Sequence, residues 1–124
     1  MLPVKTDGLP PMTPAMLNKV SAVEAYARTR PQVQIPVQHH LHGGTYVRTV
    51  KLPAGTMITG AHILIETSLV VNGHAIIYTG DKWVERCGYN VLAAAANRKQ
   101  IFIAISDVDL TMFFLFFFFY CIFA

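Results

Sequence analysis

The sequence predicts an all-β domain, an antiparallel barrel or sandwich, preceded by an extended N-terminal arm and one short α-helix. Three observations carry this. From Gln32 onward apolar residues alternate with polar ones at period two, turn residues recur roughly every 8 to 12 positions, and only one stretch, before Gln32, spaces its apolar residues as a helix does. A chain of 124 residues supports one domain with a single core. It divides into arm and helix over 1–31, barrel over 32–113 and a Phe-rich tail over 114–124.

Residues 1 to 12 are rich in Pro, with Pro10-Pro11 barring helix, so this part is an extended arm. Thr13 then offers an N-cap hydroxyl and Pro14 the first helical position, and Met16, Leu17, Val20, Val23 and Ala27 fall at helical spacing. This predicts one amphipathic helix over 14–28, closed by Pro31. Its stripe needs a surface to lie on, either the barrel or a neighbouring subunit. The arm is suited to wrapping such a neighbour.

Val33, Ile35 and Val37 alternate with Gln32, Gln34 and Gln38, which predicts a strand that Pro36 places at an edge or bulge. Thr45 to Leu52 alternates again, and Pro53-Ala54-Gly55 turns the chain. Met57 to Ile65 and Thr67 to Val71 follow, then Asn72-Gly73, a strong hairpin signal because both residues accept positive φ. His74 to Thr79 is the expected return strand. Gly80-Asp81 makes a second tight turn into Lys82 to Cys87, with Trp83 as an apolar anchor. Gly88, Ala93 to Ala96 and Asn97 predict a loop, Gln100 to Ile105 a strand, and Ser106-Asp107 a turn into a last strand near Leu110.

Composition narrows the function. The ten Lys and Arg give a net charge of +3, yet they are scattered and the one adjacent basic pair is Arg98-Lys99, so a nucleic-acid footprint is not expected. Cys87 and Cys121 are far apart and no secretory segment follows Met1, which predicts free thiols in a reducing compartment. Seven of the eight Phe lie between Phe113 and Phe123. The apolar run from Leu110 to Ala124 would span ~22 Å as a helix, short of the ~30 Å hydrocarbon core. A membrane contact by this tail is therefore a minor reading, beside a frame-shifted or read-through end.

Leu52-Pro53-Ala54-Gly55, then Thr59-Gly60-Ala61-His62, Glu66 and Asn72-Gly73, resembles the first motif of the cupin superfamily, in which a PxG turn precedes an HxH pair, a Glu and a closing Gly. Gly88 to Ala96 is similar in outline to the second motif, with Gly88 as the matching residue. The resemblance covers roughly Leu52 to Met112. The chain also resembles small phage and prophage proteins of this type, on Leu41-His42-Gly43-Gly44-Thr45-Tyr46 and Arg98-Lys99-Gln100. A working cupin converges two His, a Glu and a further His on a metal. Here the first window holds His62 and Glu66, with Leu64 in place of a second His, and Lys99 stands about where the last His belongs. The resemblance implies a cupin-like antiparallel jelly-roll barrel without its catalytic centre.

His39-His40-Leu41-His42 is the most suggestive local chemistry, because His40 and His42 would share one face of a strand. A divalent-metal site of His40 and His42, completed by His62 or Glu66, is one expectation; an exposed loop leading into Gly43-Gly44 is the other. No nucleophile with a nearby base and no phosphate-binding loop is present. Tyr46, Arg48, Trp83, Arg86, Tyr89 and Arg98 have the composition of interface hot spots. The sequence thus predicts a non-enzymatic, cofactor-free, phage-encoded barrel. It would work through protein contacts as a virion structural or accessory protein, in the host cytoplasm or virion, homo-oligomeric and bound to other phage proteins. The alternative is a metal-dependent or small-ligand-binding cupin using the His39 to His42 cluster.

Overall fold

Segments with one apolar face must bury it against one another, and here they do so as two sheets enclosing one core. The computed structural model describes residues 8–115. In chain order its elements are β1 (Gly8–Leu9), α1 (Pro14–Ala27), β2 (Val37–His42), β3 (Thr45–Leu52), β4 (Met57–Thr59), β5 (Thr67–Asn72), β6 (Ala75–Tyr78), β7 (Trp83–Arg86), β8 (Tyr89–Ala94), β9 (Ile101–Ala104) and β10 (Val108–Leu115). The larger sheet has the order β1-β8-β5-β10-β3-β2 and the smaller β4-β9-β6-β7. From β3 to β10 the chain passes repeatedly between the sheets, which is the wiring of a jelly roll. The expected all-β architecture with one preceding helix is the one found.

The core lies between the sheets. Val50, Leu52, Leu69, Val71, Leu92 and Leu110 of the larger sheet meet Ala75, Ile77, Phe102 and Ala104 of the smaller. Burying each large aliphatic or aromatic side chain stabilises the fold by about 1.5–3 kcal/mol. Helix α1 begins as predicted: Thr13 is extended, and its Oγ1 accepts the Met16 N–H at 3.3 Å, with Pro14 following. Its stripe covers the outer face of the smaller sheet, where Val20 is fully buried among Met12, Ile101, Tyr78 and Ile103. Gly80 lets the helix come this close, since a Cβ there would lie 2.6 Å from Met16 Cβ.

Several local expectations are overturned. Asn72-Gly73 is not a hairpin turn, because β5 and β6 belong to different sheets and the pair carries the chain across the core. Gly73 is needed there at φ +130°, where a Cβ would sit 2.6 Å from the Asp107 carbonyl oxygen. Gly80-Asp81 does form the predicted tight turn, joining β6 to β7 in antiparallel register. The strand expected from Val33 begins only at Val37; Val33 is 57% exposed, and Pro31 and Pro36 remove two N–H donors from that stretch. Met57 to Ile65 is strand only to Thr59, and in the loop predicted after Gly88 the stretch Tyr89–Ala94 is strand β8, its Ala93 and Ala94 paired with β1, while Ala95 to Asn97 are loop as expected.

Residues 8–12 of the arm pack on their own barrel rather than waiting for a neighbour. Gly8–Leu9 pairs in parallel with Ala93–Ala94, and Leu9 and Met12 are buried. At the other end β10 runs on to Leu115, so Phe114, 1% exposed, is core rather than tail. The remainder of the Phe-rich segment, with Cys121, lies outside the described residues, while Cys87 is a free, exposed thiol. No helix among the described residues is long and apolar enough to cross a membrane.

Candidate functional site

Alternation along β3 sends Tyr46, Arg48, Val50 and Leu52 to one side of the larger sheet. Tyr46, Val50 and Leu52 are buried, so Arg48 also faces the interior. It lines a cavity of about 550 Å³ with an apolar wall of Val50, Phe102, Leu110 and Met112 and a polar wall of Glu24, Arg28, Thr59, His62 and Lys99. The last turn of α1 carries Glu24 there and the C-cap carries Arg28; the segment before β9 supplies Lys99.

Three cationic side chains in this cavity face one carboxylate, and that carboxylate is fully engaged. Glu24 Oε2 accepts from Lys99 Nζ at 2.9 Å and from Thr59 Oγ1 at 3.0 Å, while Oε1 accepts from Arg28 Nη2 at 3.2 Å. The Lys99 hydrogen bond holds the Glu24 carboxyl below its ordinary pKa, with Thr59 and the charge of Arg28 adding, against burial, which pushes it up. His62 Nε2 is 2.7 Å from Asn97 Oδ1, and Asn97 itself adopts positive φ at +61°. Arg48 differs from its neighbours: its Nε is buried and has no hydrogen-bond partner among the described residues.

No protein-family model matches the sequence, and no curated protein matches it significantly. Solved structures match it in fold. A cupin superfamily protein from Desulfitobacterium hafniense superposes with a TM-score of 0.58 at 15% identity, over 90% of this chain and 98% of that one. The fold is a cupin barrel. An RmlC-like cupin protein from Desulfovibrio desulfuricans gives 0.56 at 17% identity over 66% of this chain and 82% of its own. Salicylate 1,2-dioxygenase from Pseudoaminobacter salicylatoxidans gives 0.54 at 12% identity, over 79% of this chain and 31% of the dioxygenase. Such identities establish the architecture alone.

The metal that cupin barrels hold does not fit this cavity. Its donors are one imidazole, already facing Asn97, and one carboxylate occupied by three hydrogen-bond donors, in a cluster of positive charge that repels a cation. Nor does the structure gather the four predicted ligands. His40 and His42 pair with Val47 and Thr45, on the face of β3 opposite to Arg48, with ring centroids 6.2 Å apart. His62 is in the interior cavity, and Glu66 lines a separate one. His39, opposite Arg48, is instead on the inward side and bonds the Tyr46 hydroxyl at 2.6 Å.

The six predicted interface residues scatter similarly. Trp83 and Tyr89 are 62% and 69% exposed, Trp83 stacking on Tyr78, and Arg86 is half-buried. Tyr46 is buried against Ile63 and Phe114, and Arg98, 1% exposed, donates to Thr67 Oγ1 and Gln100 Oε1. Both belong to the interior because the strands and bridge around them close over their side chains, so neither offers a contact surface. Burial lowers the Arg98 pKa to about 10. Sequence reasoning missed Glu24 and Arg28 as cavity residues; docking of the helix brings Glu24 inward, while Arg28 stays at the wet rim, its side chain 76% exposed.

Proposed function

We propose that this cupin barrel is a non-catalytic binding module whose cavity takes a small organic carboxylate. The observation that carries the reading is Arg48: a guanidinium on the inward face of the barrel, its Nε buried without a partner, in a cavity where cations outnumber carboxylates. A buried donor left unpaired costs about 1–3 kcal/mol, which an arriving anion recovers. Arg28 and Lys99 add attraction at the same wall, and Val50, Phe102, Leu110 and Met112 favour a ligand with an apolar body over a bare inorganic anion. A same-fold protein described in complex with gentisate, an aromatic carboxylate, supports this choice.

The test is calorimetric titration with aromatic and branched aliphatic carboxylates, against their amides as neutral controls. Saturable binding of an acid but not its amide, weakened at least about tenfold by Arg48→Met, is the expected result. Equal affinity for acid and amide, or binding unaffected by Arg48→Met, overturns it.

Strand β2 favours a second reading, action through protein contacts. All six of its residues are exposed at the edge of the larger sheet, with Leu41 58% exposed, and an unpaired edge is a template for another strand. A homo-oligomer joined along β2 would show in light scattering and be dissociated by His40→Pro. The phage association, and with it a place in the virion or host cytoplasm, rests on the sequence resemblance alone.

A further inference from the structure

A second cluster of ligating side chains stands outside the cavity, on the outer face of the smaller sheet. The β6–β7 register runs from Tyr78 opposite Trp83 to Ala75 opposite Arg86, and one rung further it sets His74 opposite Cys87. Glu85 on β7 and Cys87, one residue past its end, are two apart and share the face of His74. Ala75 and Ile77 point into the core, so this face looks away from it. A ring nitrogen of His74, a carboxylate oxygen of Glu85 and Cys87 Sγ all lie within 4.8 Å of one another, the single such trio among the described residues. His74 Nε2 is 2.5 Å from Glu85 Oε1.

The backbone beneath the trio is fixed before any ligand arrives. The His74 N–H donates to Ser106 Oγ at 2.9 Å, and its carbonyl accepts from the N–H groups of Ile105 and Ser106 at 2.9 and 3.2 Å. Just beyond the trio the Gly73 N–H donates to the Gly88 carbonyl at 2.9 Å, tying the two strands, and Asn90 Nδ2 donates to the Cys87 carbonyl at 2.9 Å. His74 and Cys87 stand just outside the facing ends of β6 and β7, and these backbone hydrogen bonds fix the segments that carry the three donors.

We propose that His74, Glu85 and Cys87 form a surface site for one zinc-class divalent ion, with a fourth, open position for water or an external donor. Thiolate, imidazole and carboxylate together select a borderline-soft ion with four ligands, whereas magnesium and calcium take oxygen donors. Metal–ligand bonds of ~2.0–2.3 Å bring tetrahedral donors roughly 3.5 Å apart, a modest contraction of the present cluster. Binding releases the Cys87 thiol proton to the buffer. Glu85 and Cys87 are exposed, so the ion reaches the site directly from solvent. The cavity and its anion reading play no part in this site.

The experiment uses the full chain without an affinity tag, stripped by chelator, titrated with Co²⁺ and then displaced by Zn²⁺. One equivalent should bind, with a thiolate-to-cobalt charge-transfer band in the near ultraviolet. Cys87→Ser should lose the band, and both it and His74→Gln should lose at least about 100-fold in affinity. His62→Gln and the double variant His40→Gln/His42→Gln should bind as the parent does. Unchanged melting of each metal-free variant certifies its fold. A stoichiometric titration without the thiolate band, full affinity in Cys87→Ser, or loss in the His40/His42 variant alone overturns the proposal.

Discussion

Lys99 Nζ lies 2.9 Å from Glu24 Oε2, which ties the one acidic residue of α1 to the segment leading into β9. Both side chains are largely buried, so solvent screens the pair less than a surface salt bridge. Lys99 thus carries a charge that holds the helix to the barrel.

Acid should therefore loosen the helix. Glu24 titrates below its ordinary value of 4.5 in the folded chain because Lys99 bonds its charged form. The stabilisation is fully present above pH 4.5 and is lost as pH falls through the depressed folded value. Thermal unfolding between pH 6 and 3 should show a decline in stability that Glu24→Gln makes shallower. Lys99→Met should reduce the same slope. Parallel pH profiles for parent and Glu24→Gln would show that the pair does not link helix docking to protonation.

Arg98 and Gln100 make a buried polar pair in which Arg98 Nε and Gln100 Nε2 have no hydrogen-bond partner among the described residues. Removing one partner should cost more than removing both. Gln100→Leu strips an acceptor from a buried guanidinium and should destabilise by roughly 2–3 kcal/mol. Adding Arg98→Met should recover most of that loss, by removing the charge whose burial lowers its pKa to about 10. A denaturant double-mutant cycle measures the coupling; additive losses would mean the two side chains act independently.

What was legible in the sequence follows from range. Helix α1 was readable because its signals, Thr13, Pro14 and the apolar spacing, lie within a few residues of one another. The β6–β7 hairpin was readable from Gly80-Asp81, and its register, counted outward, already aligns His74 with Cys87. Nothing local tells which of two like turns joins neighbours in one sheet. Asn72-Gly73 has the stronger hairpin chemistry, yet β10 and β8 flank β5, a pairing decided by residues far along the chain. The cavity was hidden for the same reason: Glu24, Arg48 and Lys99 meet only when helix, larger sheet and the segment before β9 close together.

Gly73 and Gly43 separate backbone strain from collision. Gly43 has φ +60° and open space around it, so Gly43→Ala should cost only the left-handed penalty, about 1–2 kcal/mol. At Gly73 the added Cβ meets the Asp107 carbonyl oxygen at 2.6 Å and Val108 Cγ2 at 3.0 Å, where β10 begins. Gly73→Ala should therefore destabilise by more than ~3 kcal/mol or prevent folding. Urea denaturation of the two variants distinguishes them, and comparable losses would mean that the strand crossing at Gly73 relaxes readily.

Arg48 predicts an exchange of stability for binding. Its inward position between Tyr46 and Val50 would suit an apolar side chain, and a methionine there would extend the wall formed by Met112, its partner across β10. Without ligand, Arg48→Met removes a buried unpaired donor and should raise stability by about 1 kcal/mol, a shift of several degrees in Tm for a domain of this size. With a saturating carboxylate the order should reverse, because the parent gains the binding free energy and the variant does not. Melting both proteins with and without ligand reads all four states. A variant less stable than the parent in the absence of ligand would show that the guanidinium is structural, and that the cavity owes its shape, rather than its ligand, to Arg48.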